Sequence, residues 1–327
     1  MGRNVLKTTR RLPNLSNKDF NIPKMLTELT RDNTSGANEL VFKALEIFKY
    51  QLELIKNPSE DIKRKIFDLS EEIISSRPSM APLINTIGFI LNNLESFNKQ
   101  TIQERLDQLE KDVIEKNKAL GNNFQEFLSQ FKKGYRSIML ISYSSTIVNL
   151  LSKFNNENIE IYVLESRPLL EGRKTAEILS KYFKTHLIID AAIGKFIDQI
   201  DIVLIGVDSI LKDGSIINKI GTFPLALVAK VKNIAVYAIT SSFKYNLRSH
   251  FDQRISINKK PMYEIYDKRI ESKSLEVENY YFDITPPEYI TGIISEYGIL
   301  SIKQFLEKVQ LELPSEWFKY FLNNKRV

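Results

Sequence analysis

The chain has 327 residues, 43% of them hydrophobic, and a formal net charge of +6. This length is more than one hydrophobic core usually serves, so the sequence predicts two domains. It contains no cysteine, which excludes disulfides, thiolate metal sites and a cysteine nucleophile, and its two histidines lack metal-ligand spacing. We therefore expect no metal ion.

Most of the net positive charge comes from the chain ends, where such tails are usually solvated. No stretch approaches the roughly 20 apolar residues of a membrane helix, and no apolar signal-peptide core follows the basic N-terminus. No nucleic-acid-binding motif accompanies the charge. The sequence thus predicts a cytosolic protein with neither a membrane nor a specific nucleic acid as partner.

The first third of the chain predicts four helices, because apolar residues recur at helical spacing between short breaks. The segments are 37–56, 62–73, the stretch after Arg77-Pro78-Ser79, and 101–128. Ser59 is a candidate cap of the second helix, and Thr101 with Glu104 forms a candidate capping box for the fourth. Such stripes are nearly always core, so residues 1–132 are expected to form a helical domain.

From residue 133 onward, short apolar strands alternate with helical segments. The predicted strands are Ser137–Ile141, Ile159–Leu164, Leu187–Ile189, Ile202–Ile205 and Ile234–Ile239. The predicted helices between them are Thr146–Phe154, Glu171–Phe183, Gly194–Gln199 and Pro224–Lys232. This alternation predicts an α/β fold in which residues 133–327 form a Rossmann-like parallel sheet covered by helices. The dinucleotide fingerprint and the P-loop are both missing, so we expect no nicotinamide or triphosphate cofactor.

Polar residues follow these strands at the sheet edge where open α/β folds bind ligands. Asp208 follows Ile202–Ile205, and Asn218 and Lys219 come shortly before the next predicted helix. A carboxylate, an amide and an amine near a helix start suit a phosphorylated ligand. On spacing alone, a polar connection in which Asp208 caps a turn is an equally good interpretation.

Two further strand ends carry candidate ligand contacts. Ser142 and Ser144 follow the first strand and open a helix whose free amide groups suit a phosphate. After the second strand, Arg167 and Arg173 belong to a local basic cluster. From composition, that cluster is equally well interpreted as the solvated start of a helix.

Several longer motifs resemble one protein superfamily. They are Gly206-x-Asp208-Ser209-Ile210 with 213–214 and 218–222, the Ser-Arg-Pro-x-x-Glu-Gly-Arg pattern at 166–173, 282–289, 76–79 and 31–37. The chain resembles the alpha, beta and delta subunits of translation initiation factor 2B, including archaeal initiation-factor-2B-like proteins. Methylthioribose-1-phosphate isomerase and archaeal ribose-1,5-bisphosphate isomerase share the resemblance, which covers nearly the whole chain.

The resemblance implies a helical domain, a Rossmann-like domain that mediates dimerisation, and a sugar-phosphate or nucleotide-phosphate pocket between them. In the isomerases, a cysteine and an aspartate move protons between the first two sugar carbons. Asp208 matches the aspartate, whereas Ser142 stands at the cysteine position, and a serine hydroxyl does not titrate near neutral pH. Ser35, beside Gly36, stands where the isomerases tend to carry a phosphate-binding arginine.

These two departures favour a non-catalytic, initiation-factor-2B-like regulatory protein that binds a phosphorylated small molecule or nucleotide. In this interpretation Asp208 is a ligand or structural carboxylate, and Arg77, Arg167, Arg173 and Lys219 contact the anion. The alternative is a sugar-phosphate aldose-ketose isomerase that uses Asp208. A third interpretation is a regulatory module that binds a nucleotide monophosphate and no protein.

The expected partners follow from the same resemblance. It implies a homodimer and association with a translation initiation factor 2 subunit, the alpha subunit being favoured. We expect the dimer interface to include Asp283–Tyr289. After Pro286 and Pro287, an apolar stripe at helical spacing comprises Tyr289, Ile290, Ile293 and Ile294.

Overall fold

The computed structural model describes residues 21–32, 36–56, 62–77, 80–92, 98–130, 136–154, 158–268, 272 and 274–318. Three sequence predictions lie outside these residues. They concern Ser35, the cap at Ser59 and the domain boundary between residues 132 and 133. The division of the chain into two domains therefore stays a prediction.

Helices make up the described N-terminal part: α1 (Ile22–Arg31), α2 (Ala37–Leu54), α3 (Ile62–Ser76), α4 (Ala81–Leu91) and α5 (Lys99–Gln130). The last four correspond to the predicted helices, whereas α1 was not predicted. The predicted capping box of α5 is wrong. The helix begins earlier, and the Asn98 side-chain oxygen accepts the Thr101 N–H at 2.8 Å, so Asn98 is the cap.

The C-terminal part alternates strands and helices as the sequence predicts. Its strands are β1 (Ser137–Ile141), β2 (Glu160–Leu164), β3 (Lys184–Ile188), β4 (Ile202–Ile205), β5 (Ser209–Ile210), β6 (Ile216–Lys219), β7 (Ala235–Ile239), β8 (Phe282–Thr285), β9 (Gly292–Ser295) and β10 (Gly298–Leu300). Its helices are α6 (Ser145–Leu151), α7 (Glu171–Leu179), α8 (Ile193–Phe196), α9 (Thr222–Val231), α10 (Leu247–His250) and α11 (Ile302–Glu312).

The main sheet has seven strands in the order β10-β9-β7-β4-β1-β2-β3. Its pairings are parallel except that between β9 and β10. From β1 the chain moves outward to β3 and then returns to β4 on the other side of β1. Ligands bind at such a reversal of strand order, because the loops after the two strands diverge and leave a crevice. The loops after β1 and β4 are therefore neighbours.

A second, antiparallel sheet of order β5-β6-β8 was not predicted. It replaces the loop expected between Asp208 and Lys219, and its turn contains the predicted Asp213-Gly214 pair. The Leu211 N–H donates to the Ser215 carbonyl oxygen across this turn at 2.8 Å. The small sheet fixes Lys219 at a strand end and not in a free loop.

The predicted apolar helix after Pro286 and Pro287 is wrong. Ile293 and Ile294 belong to β9, pair with β7, and are fully buried. A short apolar run does not distinguish a buried strand from a buried helix, and here the pairing partner decides. These two isoleucines belong to the core of the sheet.

The core joins the helical part to one face of the main sheet. A continuous apolar cluster contains Phe48 of α2, Ile87 of α4, Met139 of β1 and Ile205 of β4. A second cluster covers the opposite face, where the C-terminal half of α5 packs through residues such as Phe124. Helix α5 thus contacts both clusters, and the helical part is fixed relative to the sheet.

Candidate functional site

The loops after β1 and β4 meet at close range. A Cβ atom at Gly206 would lie 3.1 Å from Ser144 Cβ and 3.2 Å from its Oγ, so a side chain there would crowd the serine. The helical part reaches the same place, because a Cβ at Gly36 would lie 2.2 Å from Ser145 Oγ. Three chain segments predicted to contribute to the ligand site therefore converge.

Ser142 adopts a left-handed backbone conformation, with a φ of 65°, directly after β1. Its N–H donates to Ser166 Oγ at 2.7 Å, and its carbonyl oxygen accepts the Thr175 hydroxyl at 2.7 Å. Non-glycine residues rarely adopt this conformation, and it persists where surrounding contacts fix it. These two hydroxyls hold the turn that carries the serine beside the crevice.

Asp208 lies at the end of β4, and its backbone N–H donates to the Ile217 carbonyl oxygen at 2.9 Å. The side chain is exposed to solvent, although protein groups surround it closely enough to displace part of its water. Partial removal from water raises the pKa of its carboxyl, while the positive charges of Lys244 and Lys219 counteract this rise. A raised pKa brings a carboxyl closer to the range in which it exchanges protons at neutral pH.

Lys244 is a candidate site residue that the sequence analysis missed. It ends the short 3-10 turn Ser242–Lys244 after β7, and its side chain is partly buried. Burial lowers the pKa of its ammonium group, while the negative charge of Asp208 raises it. Its position after the predicted strand Ile234–Ile239 was the available signal, since the same strand-end argument selected Asp208 and Ser142.

Lys219 is buried at the end of β6, with 4% of its side chain exposed. Its ammonium forms an ion pair of 2.9 Å with Glu171 Oε1 at the start of α7, and it lies 5.3 Å from the centre of the Tyr281 ring. The neighbouring Asn218 is also buried and donates to the Thr222 hydroxyl at 3.0 Å. The lysine therefore faces the site with a counter-ion already in place.

Arg77 contacts the end of α1. Its guanidinium donates to the carbonyl oxygens of Leu29 and Thr30, at 3.1 Å each, and to that of Asp32. Burial lowers the pKa of this arginine, with the negative charge of Asp32 opposing the change. These bonds satisfy carbonyl groups at the end of α1.

Arg167 and Arg173 are exposed and already bonded to protein groups. The Arg167 side chain donates to the Glu264 carbonyl oxygen at 3.2 Å, and its backbone N–H donates to the Asp190 carboxylate at 2.7 Å. Arg173 forms a 3.0 Å ion pair with Glu165. Their role as anion contacts stays a prediction.

Asp283 has a local role that the sequence did not indicate. One carboxylate oxygen accepts N–H groups of Gly221 at 2.8 Å and Phe223 at 3.1 Å, at the start of α9. Burial raises the pKa of this carboxyl to about 6, although the backbone N–H groups lower it. Asp283 thereby joins β8 to the helix that follows Lys219.

Both histidines form their hydrogen bonds with residues other than Ser142 and Asp208. His186 Nε2 lies 2.9 Å from Glu160, and His250 Nδ1 lies 2.8 Å from the Tyr245 hydroxyl. Within the described residues, the Ser142 hydroxyl is hydrogen-bonded to no basic side chain.

The described part also contains no cluster of three or more residues suited to binding a metal. Among its helices, none is both long and apolar enough to span a bilayer.

A sequence model of the initiation factor 2 subunit family matches residues 33–302. The chain belongs to this family. Its relatives include the ribose 1,5-bisphosphate isomerase of Methanocaldococcus jannaschii, 29% identical over 270 residues, which cover 81% of this chain and 86% of the relative. The methylthioribose-1-phosphate isomerase of a Thermoanaerobacter species is 29% identical over 270 residues, covering 76% and 78% of the two chains.

Among solved structures, the translation initiation factor eIF-2B of Pyrococcus horikoshii OT3 superposes with a TM-score of 0.70. It is 26% identical, and the match covers 86% of this chain and 96% of that one. The family thus contains proteins named as isomerases and proteins named as translation factors. Family membership alone does not distinguish these two functions. The residues of the candidate site have to distinguish them.

Proposed function

We propose that this member of the initiation factor 2 subunit family binds a phosphorylated sugar or nucleotide beside Asp208 and does not isomerise it. One observation carries this proposal: Ser142, which the motif resemblance places at the cysteine position of the isomerases, has no basic hydrogen-bond partner in the described part. A hydroxyl requires an adjacent base to act near neutral pH, whereas a thiol ionises far more readily. The acid/base pair of the isomerases is thus incomplete.

The charges of the site suit a phosphate group. Lys219 and Lys244 are both partly desolvated, and both act electrostatically on Asp208. A charge-assisted contact to a desolvated phosphate contributes about 1.5–3 kcal/mol. Lys219→Ala should therefore weaken binding by at least about tenfold.

The binding test is calorimetry with ribose 1,5-bisphosphate, methylthioribose 1-phosphate and nucleoside monophosphates. Lys174→Ala is the matched control, because this exposed lysine lies over the Tyr143 ring with its amine 3.8 Å from the ring centre. It should leave affinity within about twofold, which corresponds to less than about 0.5 kcal/mol. If Lys219→Ala binds as tightly as the wild type, the phosphate site lies elsewhere.

We also infer a homodimer and a regulatory association with a translation initiation factor 2 subunit, the alpha subunit being favoured. Support for an interface at Asp283–Tyr289 comes from Ile284 on β8, an apolar residue that is 38% exposed. Light scattering at micromolar concentration should return a dimer, and Ile284→Asp should weaken it. A monomeric wild type would remove the proposal, and a pull-down with the purified alpha subunit tests the association separately.

The second candidate function is an aldose-ketose isomerase, and the raised pKa of Asp208 favours it. In that case Asp208 moves the proton, and Asp208→Asn abolishes turnover of ribose 1,5-bisphosphate or methylthioribose 1-phosphate. Ser142→Cys then restores the thiol beside an intact aspartate. Robust wild-type turnover that Asp208→Asn eliminates would overturn the non-catalytic proposal.

A further inference from the structure

We infer that Asn85 of α4 is a positioning residue that holds Lys244 opposite Asp208, so that the helical part of the chain controls the charge of the ligand site. The inference rests on the site of the proposed function and names how it is regulated. Asn85 is 1% exposed. Its side-chain N–H groups donate to the carbonyl oxygens of Phe243 at 2.9 Å and Tyr245 at 2.8 Å, the residues on either side of Lys244.

A second set of contacts fixes the start of the same turn. The Ser242 N–H donates to Glu296 Oε1 at 3.0 Å, and the Ser242 hydroxyl bonds to the same carboxylate. Lys116 of α5 lies 2.9 Å from the Ser242 hydroxyl and 3.5 Å from Glu296 Oε1. The turn is therefore held by the sheet through Glu296 and by the helical part through Lys116.

The end of the turn is anchored to the small sheet. The Asn246 N–H donates to the Ile210 carbonyl oxygen at 2.8 Å, and its side chain donates to the Ser209 hydroxyl at 2.8 Å. Ser209 follows Asp208 directly in the chain. Lys244 thus projects from a turn whose two ends are fixed, one of them on the strand that begins beside Asp208.

Asn85 is an unusual residue for its place in α4. Most of this helix is buried and apolar, and the amide oxygen of Asn85, Oδ1, has no hydrogen-bond partner within the described part. A buried polar group of this kind is unfavourable unless its hydrogen bonds compensate. An apolar side chain would suit the packing of α4, so the feature that Asn85 supplies is the pair of donors to the Lys244 turn.

Displacing the Lys244 charge should change the pKa of Asp208 in one direction. The charges that act on it are those of Lys244 and Lys219, and both favour its ionised form. If the turn loses its two donors from Asn85, the Lys244 amine is free to move toward solvent, as long cationic side chains do. Asp208 then loses one stabilising charge and should titrate at higher pH.

The test follows the titration of Asp208 in the ligand-free protein. Carbon-13 labelled aspartate carboxyl signals are recorded against pH, and the Asp208 signal is identified by its loss in Asp208→Asn. Lys244→Met should raise the titration midpoint by about 0.5–1 pH unit, the effect of removing one nearby charge in a partly screened site. Asn85→Ala should raise it in the same direction.

The double variant Asn85→Ala/Lys244→Met gives the decisive result. Because Asn85 acts through Lys244, the double variant should titrate as Lys244→Met alone does. Asn85→Leu keeps a side chain of similar size but removes the hydrogen-bond donors. It provides the same measurement if the alanine variant does not fold. The matched control is Thr86→Val, since the buried Thr86 hydroxyl bonds to the Pro82 carbonyl oxygen within α4 itself at 2.8 Å.

Three outcomes overturn the inference. An unchanged midpoint in Asn85→Ala or Asn85→Leu, while Lys244→Met shifts it, removes the positioning role. A further shift on top of Lys244→Met shows that Asn85 acts by another route, and an equal shift in Thr86→Val shows a general effect of destabilising α4. Because the readout needs no ligand, a wild type that binds no phosphorylated compound refutes the proposed function separately.

Discussion

Replacing Glu171 with glutamine is expected to destabilise the fold, because it leaves the Lys219 ammonium buried without its counter-ion. At the observed separation of 2.9 Å, and with an effective dielectric constant of about 20, the Coulomb energy is about 6 kcal/mol. Glu171 retains 29% exposure, so solvent screens part of this attraction. We expect a coupling free energy of about 2–4 kcal/mol between the two side chains.

The assay is a double-mutant cycle of Lys219→Met, Glu171→Gln and the double variant, using urea denaturation followed by fluorescence and circular dichroism. Each single change leaves one charge or polar group without its partner, whereas the double change removes both. The double variant should therefore be less destabilised than the sum of the single variants. Lys232 and Asp198 provide the control pair, because they are 2.7 Å apart but 43% and 66% exposed.

The surface pair should show a coupling below about 1 kcal/mol. If the cycle at Lys219 and Glu171 returns no more than the surface pair, burial does not strengthen their interaction. Lys219 would then be solvated in solution, and its assignment to a desolvated phosphate site would lose its physical basis. A large coupling would support a site in which an incoming phosphate competes with Glu171 for the lysine.

Burial raises the pKa of Asp283 from 3.8 to about 6, so its contribution to stability is present below the lower value and is lost as the pH rises through the higher one. Asp283→Asn should flatten this decline, which thermal denaturation should locate between about pH 4 and about pH 6. A Cβ at Gly172 would lie 1.8 Å from the Leu164 carbonyl oxygen, so Gly172→Ala should cost about 3 kcal/mol or more in urea denaturation. Arg77→Met should speed proteolysis at the end of α1, and Arg77→Lys should not restore protection, because one ammonium cannot reproduce the fork of donors.

Local sequence patterns were sufficient to predict the fold class and to select part of the candidate site. The apolar runs around β1, β2, β4 and β7 and the helical segments between them predicted a parallel sheet, which the structure confirms. Asp208 and Ser142 were found because a strand end can be located from where an apolar run stops. The motif resemblance predicted the family, and the match over residues 33–302 confirms it.

Where the sequence has no clear hydrophobic period, the secondary structure of a segment depends on the strand with which it pairs. The chain between Asp208 and Lys219 forms strands because β8, far along the sequence, pairs with β6. The apolar stretch containing Ile293 is a strand because β7 offers a parallel edge. Hydrophobicity alone does not encode which backbone groups find partners, so the small sheet and β9 required the tertiary structure.

The charge state of the site also depends on contacts that sequence distance conceals. The sequence by itself determined that Asp208 and Lys219 stand near strand ends, and the motif resemblance predicted that Ser142 occupies the cysteine position of the isomerases. Only the tertiary structure paired Lys219 with Glu171, 48 residues away, and placed Lys244 where its charge acts on Asp208. Burial and counter-ions arise from the packing of distant segments, and these set whether a lysine is available to a ligand and whether a carboxyl is ionised.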